Sequence, residues 1–252
     1  MTELTVVTGG TGTLGRPVVD GLLQTGSAVR VASRGACPDR DLAYQWAQVD
    51  YRSEASTQAA LADAGTVVHC ANSVRRVLDD QVVRAAVRAG VGHFVYISIV
   101  GIDQIPFRYY RNKLATERQL EASGMPYTIL RATQFHDLAY QLVAALTKTW
   151  LAPLPTGWQV QPVDAGEVAE RLVALARRPA AGRVPDFGGP EVRTLPELAA
   201  SYRRSIGRPP RRVVSLPFPG ATSKALRRGA NLAPDHAVGK VTFEQYLRQE
   251  PQ

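Results

Sequence analysis

Two textures alternate along the first part of the chain. Short runs that are apolar on both faces, such as Leu4-Thr5-Val6-Val7-Thr8, are separated by longer stretches with apolar residues three and four apart. The runs predict strands at Leu4–Thr8, Ala28–Ser33, Gln45–Val49, Thr66–Cys70, His93–Ile99 and Tyr127–Arg131. The periodic stretches predict helices at Leu14–Gln24, Ser53–Asp63 (with Ser53 as N-cap), Arg75–Ala89, Tyr109–Ser123 and Gln134–Thr147. Strands apolar on both faces, with helices between them, mean a parallel α/β sheet covered on both sides.

Beyond residue 150 the pattern loosens. Pro153, Pro155 and Gly157 predict a loop, followed by helices at Val168–Arg177 and Pro196–Ile206, a strand at Arg212–Leu216 and a last helix near Phe243–Arg248. The expected organisation is a nucleotide domain over 1–150 and a smaller irregular substrate-binding cap over 151–252, partly interwoven with the first. In such sheets pockets form outside the carboxyl ends of the strands.

The first strand runs into Thr8-Gly9-Gly10-Thr11-Gly12-Thr13-Leu14-Gly15 and then a helix. A tight strand-to-helix turn aims backbone N–H groups and the positive end of a helix at one point, where a pyrophosphate fits. Gly9 permits the turn, Gly12 lets the backbone approach the phosphates and Gly15 lets the helix pack on the strand. The fold class is therefore a Rossmann-type, doubly wound parallel sheet that binds a dinucleotide. Strand two closes on Ser33-Arg34, where a carboxylate would favour NAD; arginine suits a 2′-phosphate and points to NADPH. Asp50, closing strand three, either accepts from the adenine amino group or caps the following helix. Ala71 and Asn72, after strand four, complete the expected cofactor-contacting set.

Ser98 ends strand five, and Tyr109 and Lys113 stand four apart at the start of the next helix. A neighbouring ammonium favours the phenolate and so brings a tyrosine within reach of acid–base work near neutral pH. In that arrangement Lys113 also holds the nicotinamide ribose, Ser98 bonds the substrate oxygen, hydride leaves the nicotinamide and Tyr109 delivers the proton. A structural alternative makes Tyr109 a packing aromatic. Gln134, Phe135 and His136, after strand six, are expected beside the substrate, with a structural role for His136 as the alternative.

These residues resemble the atypical, NmrA-like, NAD(P)H-binding group of short-chain dehydrogenase/reductases. The resemblance is carried by Thr8 to Gly15, Arg34, Ser98, Tyr109 with Lys113, Leu130 to Phe135, Gln161-Pro162-Val163-Asp164, Phe187 to Pro190 and the Phe243 segment. It implies an NADPH-dependent reductase of a carbonyl, quinone or enone in a small organic molecule. Members of the group that lack an active tyrosine imply one alternative, a nonenzymatic NADP(H) sensor; an epimerase or dehydratase using the nucleotide transiently is a further alternative.

Composition trims the remaining classes. A net charge of +8 owes much to Arg203, Arg204, Arg208, Arg211, Arg212, Arg227 and Arg228, which follow no helix stripe and have few aromatics between them; no nucleic-acid partner is expected. Nor is a membrane partner, because no apolar run is long enough to span a bilayer, and cytoplasmic residence follows as the default expectation. Cys37 and Cys70 fit neither a disulfide framework nor a metal spacing, and no metal is expected. The sequence leaves the oligomeric state open.

Overall fold

Strands β1 (Leu4–Thr8), β2 (Ala28–Ser33), β3 (Gln45–Gln48), β4 (Ala64–His69), β5 (His93–Ile99), β6 (Tyr127–Ala132) and β9 (Gly182–Arg183) build a seven-stranded parallel sheet in the order β3-β2-β1-β4-β5-β6-β9. The computed structural model describes residues 3–39, 41–71, 77–147, 151–155, 157–210 and 212–249. Strand order reverses at β1: β2 lies on one side in the register Val6↔Arg30, and β4 on the other in the register Val6↔Val67. That reversal opens a crevice at the carboxyl ends of β1 and β4, the usual place for a nucleotide in a doubly wound sheet.

The chain divides into two units: unit 1 is Met1–Ser98, Arg111–Leu130 and Ala165–Val184; unit 2 is Ile99–Tyr110, Arg131–Asp164 and Pro185–Gln252. In unit 1, α2 (Glu54–Ala60), α3 (Val77–Arg88) and α4 (Arg108–Ala122) bury apolar residues against one sheet face. There Val82, Ala86 and Leu120 meet Val67, Phe94 and Ile129. Helix α1 (Gly15–Gln24) lies against α6 (Ala165–Ala176), and the packing is close enough that a Cβ on Gly21 would stand 3.1 Å from a Val173 methyl. Each fully buried aliphatic side chain in these layers contributes about 1.5–3 kcal/mol over leaving it in water.

Unit 2 has its own core, where Ala139 and Val143 of α5 (His136–Leu146) pack with Leu195 and Leu198 of α7 (Leu195–Ser205) and with Phe243 and Leu247 of α9 (Phe243–Gln249). Thr194 starts α7 with a reciprocal capping box, its hydroxyl accepting from Glu197 N and the Glu197 carboxylate accepting from Thr194 N. The rest of the unit holds two short ribbons, β7 (Leu151–Pro155) with β11 (Arg212–Leu216) and β8 (Gln159–Val160) with β10 (Arg193–Thr194), and the helix α8 (Ala221–Arg227).

Several boundaries differ from the sequence reading. The expected Pro153–Pro155 loop is a strand, paired in parallel with β11 at Pro153↔Val214 and Pro155↔Leu216. A two-stranded ribbon has only edges, so prolines lacking an N–H are tolerated there. Helix α2 stops at Ala60, and Asp63 turns back with a φ of 60°. Helix α5 begins at His136 and not at Gln134, because the Gln134 carbonyl accepts from Val163 N in a bridge between extended segments. The first residues of the expected Arg75–Ala89 helix lie outside the described residues, as does Trp150.

Candidate cofactor and active site

Packing around the glycine turn separates its members. Gly9 has a φ of 69°, and a Cβ there would lie 2.6 Å from the Ala71 backbone. A Cβ on Gly10 would stand 2.9 Å from the Val31 side chain, and one on Gly15 only 2.0 Å from the Gly9 carbonyl oxygen. The protein's own packing therefore demands glycine at all three positions. Gly12 is different. Its φ is not left-handed, and a Cβ would make only an ordinary 3.4 Å contact. A bare backbone at this exposed position suits close approach by a ligand.

The start of α1 supplies the complementary charge. It has no side-chain cap and no acidic residue in its first turn, so nothing of its own neutralises the positive end. Arg16 adds a feature the sequence reading missed. Its Nε donates to Thr11 O at 2.9 Å, which holds a guanidinium against the turn. An arginine directly after Gly15 was the available signal. These residues fit a dinucleotide pyrophosphate: a cradle with room, N–H donors and positive charge.

The other expected cofactor contacts fall at strand ends. Ala71 follows β4, with its N–H on Thr8 Oγ1 at 3.4 Å. Arg34 is exposed just beyond β2. The Asp50 carboxylate accepts from Arg52 N at 3.0 Å and so stabilises the turn into α2, while Ser53 caps that helix as expected. Asn72 lies outside the described residues.

Lys113 projects from α4 into the interior of unit 1 and is only 3% exposed. Its Nζ donates to Ile97 O at 3.2 Å and lies 4.5 Å from the centre of the Tyr96 ring. Burial pushes its pKa below the ordinary lysine range, opposed first by the charge of Asp79. Ser98 is the next residue along β5 from that carbonyl. It is 2% exposed, and its hydroxyl finds no partner among the described residues. An unsatisfied buried hydroxyl costs about 1–3 kcal/mol, which a bound group would recover.

The remaining candidates belong to unit 2. Tyr109 is half-buried, with its ring 6.2 Å from that of Tyr110. Burial raises the Tyr110 phenol, partly offset by its hydrogen bond with Gln134. Gln134 and Phe135 are half-buried. His136 is 1% exposed, bonds Val241 O through Nε2 at 2.9 Å and stacks on Tyr246. The motif residues around them have structural reasons too. Gln161 Nε2 donates to Gly189 O at 2.7 Å while its Oε1 accepts from Ala233 N at 2.7 Å. A Cβ on Gly189 would meet Pro162 O at 1.8 Å. Among the described residues no group of three or more His, Cys, Asp and Glu could hold a metal, and no helix is long and apolar enough to cross a membrane.

The model of one family, described as NAD(P)H-binding, matches residues 9–179. The chain belongs to that NAD(P)H-binding family. The match begins at the first glycine of the turn and runs through β5 and α4 to just past α6. Among curated relatives, a (4-alkanoyl-5-oxo-2,5-dihydrofuran-3-yl)methyl phosphate reductase of Streptomyces griseus is 28% identical over 81% of this chain and 74% of its own. Quinone oxidoreductase 2 of Escherichia coli is 27% identical over 80% of this chain and 74% of its own. The crystal structure of an NADPH-dependent quinone oxidoreductase from Escherichia coli, complexed with NADPH, superposes with a TM-score of 0.83 at 20% identity, covering 97% of this chain and 98% of that one. That likeness shows the fold, and the family match shows the nucleotide class.

Proposed function

We propose that this NAD(P)-dependent oxidoreductase uses NADPH to reduce a quinone, carbonyl or enone of a small organic molecule. The observation that carries the reading is at the end of β5. A buried ammonium is bonded to Ile97 O, and the following residue, Ser98, presents a buried hydroxyl without a partner among the described residues. Two polar groups kept dry beside a nucleotide crevice are what a substrate oxygen and a ribose would engage. The names of the relatives supply the substrate class, since two of them are a quinone oxidoreductase and a reductase of an unsaturated lactone. Arg34 beyond β2 supports the phosphorylated cofactor.

Each residue then has a task. The turn from Gly9 to Gly15 and the Arg16 guanidinium hold the pyrophosphate, and Arg34 holds the 2′-phosphate. Lys113 holds the nicotinamide ribose and Ser98 donates to the substrate oxygen. Bound NADPH supplies the hydride. Tyr109, one helical turn before Lys113, gives the proton to the reduced oxygen. The structural partners of His136 favour an anchoring role for it over substrate binding.

Steady-state NADPH consumption with benzoquinones, naphthoquinones, enones and ketones tests this reading. Wild type is expected to turn over at least one class. Tyr109→Phe loses about 100-fold in kcat if the phenol gives the proton; an undiminished Tyr109→Phe removes Tyr109 from the mechanism.

A further inference from the structure

The buried polar residues of unit 1 form one line from the glycine turn to Lys113. Ala71 N–H donates to Thr8 Oγ1 at 3.4 Å, and the Thr8 hydroxyl donates to His69 Nδ1 at 2.6 Å. His69 then carries its proton on Nε2 and donates it to Asp79 Oδ1 at 3.1 Å. The Tyr96 hydroxyl donates to the other Asp79 oxygen at 3.4 Å. The His69 and Tyr96 rings stack at 5.6 Å, and the Lys113 ammonium faces the Tyr96 ring at 4.5 Å. One proton arrangement satisfies every member. Asp79 is 2% exposed and His69, Thr8 and Tyr96 are fully buried. The line joins residues from β1, β4, α3, β5 and α4, so no local sequence pattern displays it.

We propose that Asp79 is a positioning residue for Lys113: its carboxylate, held by His69 and Tyr96, is the leading buried counter-charge that keeps the ammonium charged and seated on Ile97 O. The functional consequence rests on the reading of Lys113 as the ribose ligand; the structural claim does not. A lone ammonium in the interior costs several kcal/mol and would shed its proton instead. The Tyr96 hydroxyl, by donating to a carboxylate, pushes electron density into the ring and strengthens its attraction for the cation beyond. Burial pulls Lys113 down, and the opposing groups are Asp79, Cys70 and Glu117. Burial pushes the Cys70 thiol up to about 12, so at neutral pH it offers no charge. Glu117 lies one turn further along α4. Burial pushes the Asp79 carboxyl up, but the bonds from His69 and Tyr96 and the charge of Lys113 outweigh it and hold it below the ordinary range.

Two measurements on the full chain test the proposal: an NMR titration of the Lys113 ε-carbon without cofactor, and the NADPH dissociation constant against pH. In Asp79→Asn the Lys113 midpoint is expected to fall by at least about one pH unit. Tyr96→Phe keeps the ring, drops the bond to Asp79 and gives a smaller displacement in the same direction. NADPH affinity in Asp79→Asn weakens at a lower pH than in wild type, by at least about threefold at pH 9. An unchanged Lys113 midpoint in a folded Asp79→Asn overturns the proposal; if that variant fails to fold, an unchanged midpoint in Tyr96→Phe does so. A displaced midpoint with unchanged NADPH affinity supports the counter-charge and overturns instead the assignment of Lys113 to the ribose.

Discussion

Lys113 Nζ donates to the main-chain oxygen of Ile97 at 3.2 Å, inside unit 1, and the residue that follows Ile97 on β5 is Ser98, whose buried hydroxyl has no partner among the described residues. A lysine that could have reached solvent is instead committed to a strand end. Its methylenes and ammonium are both desolvated, a cost that a buried partner charge offsets.

That commitment predicts a coupled stability change. Lys113→Met leaves Asp79 without its counter-charge and is expected to destabilise by about 3 kcal/mol. Asp79→Asn combined with Lys113→Met removes both charges and recovers more than half of the loss. A double-mutant cycle by chemical denaturation measures the coupling; additive losses would show that the two charges ignore each other.

The glycine turn predicts a separation of folding from binding. Gly15→Ala drives a Cβ into the Gly9 carbonyl and lowers the melting temperature sharply. Gly12→Ala, with only a 3.4 Å contact, keeps the melting temperature close to wild type but weakens NADPH at least about tenfold, or about 1.4 kcal/mol. Melting curves and a fluorescence titration of NADPH check the pair.

Arg34 predicts the nucleotide preference. Arg34→Ala lowers affinity for NADPH by about tenfold and leaves NADH within about twofold, because only the 2′-phosphate differs between the two. Parallel titrations with both cofactors measure it. Equal losses for the two nucleotides would place Arg34 elsewhere than at the 2′-phosphate.

Unit 2 carries an acid-sensitive joint. Ser201 Oγ donates to Glu244 Oε1 at 2.6 Å and Arg193 Nη1 lies 3.2 Å from the same oxygen. Burial pushes the Glu244 carboxyl up, but the Ser201 bond and the Arg193 charge outweigh it and hold it below the ordinary glutamate range. A depressed carboxyl stabilises the fold above the unfolded value of about 4.3 and loses that contribution as pH falls through the folded value. Glu244→Gln therefore flattens the fall in melting temperature between about pH 5 and pH 3. An equally steep fall would locate the acid sensitivity elsewhere.

The sheet was legible because its strands are buried on both faces: β1, β2 and β5 stand at the expected residues. So was the turn, where packing explains Gly9, Gly10 and Gly15. The Pro153 and Pro155 ribbon was not, since proline punctuates loops and edge strands alike and only the partner strand, far along the chain, decides. The short β9 was missed because two residues carry no periodicity. His69 and Asp79 looked unrelated in sequence because their meeting depends on α3 folding back over β4 and β5. Lys113 was found from its spacing to Tyr109, whereas its burial came from packing that no spacing encodes.

The most direct test of the central claim is steady-state NADPH oxidation over the quinone, enone and ketone panel, with wild type beside Ser98→Ala and Lys113→Met. The account predicts NADPH consumption matched by reduced product in wild type, and losses in kcat/KM of about tenfold or more in Ser98→Ala and about 100-fold in Lys113→Met. Tight NADPH binding by wild type with no turnover of any substrate class would contradict it.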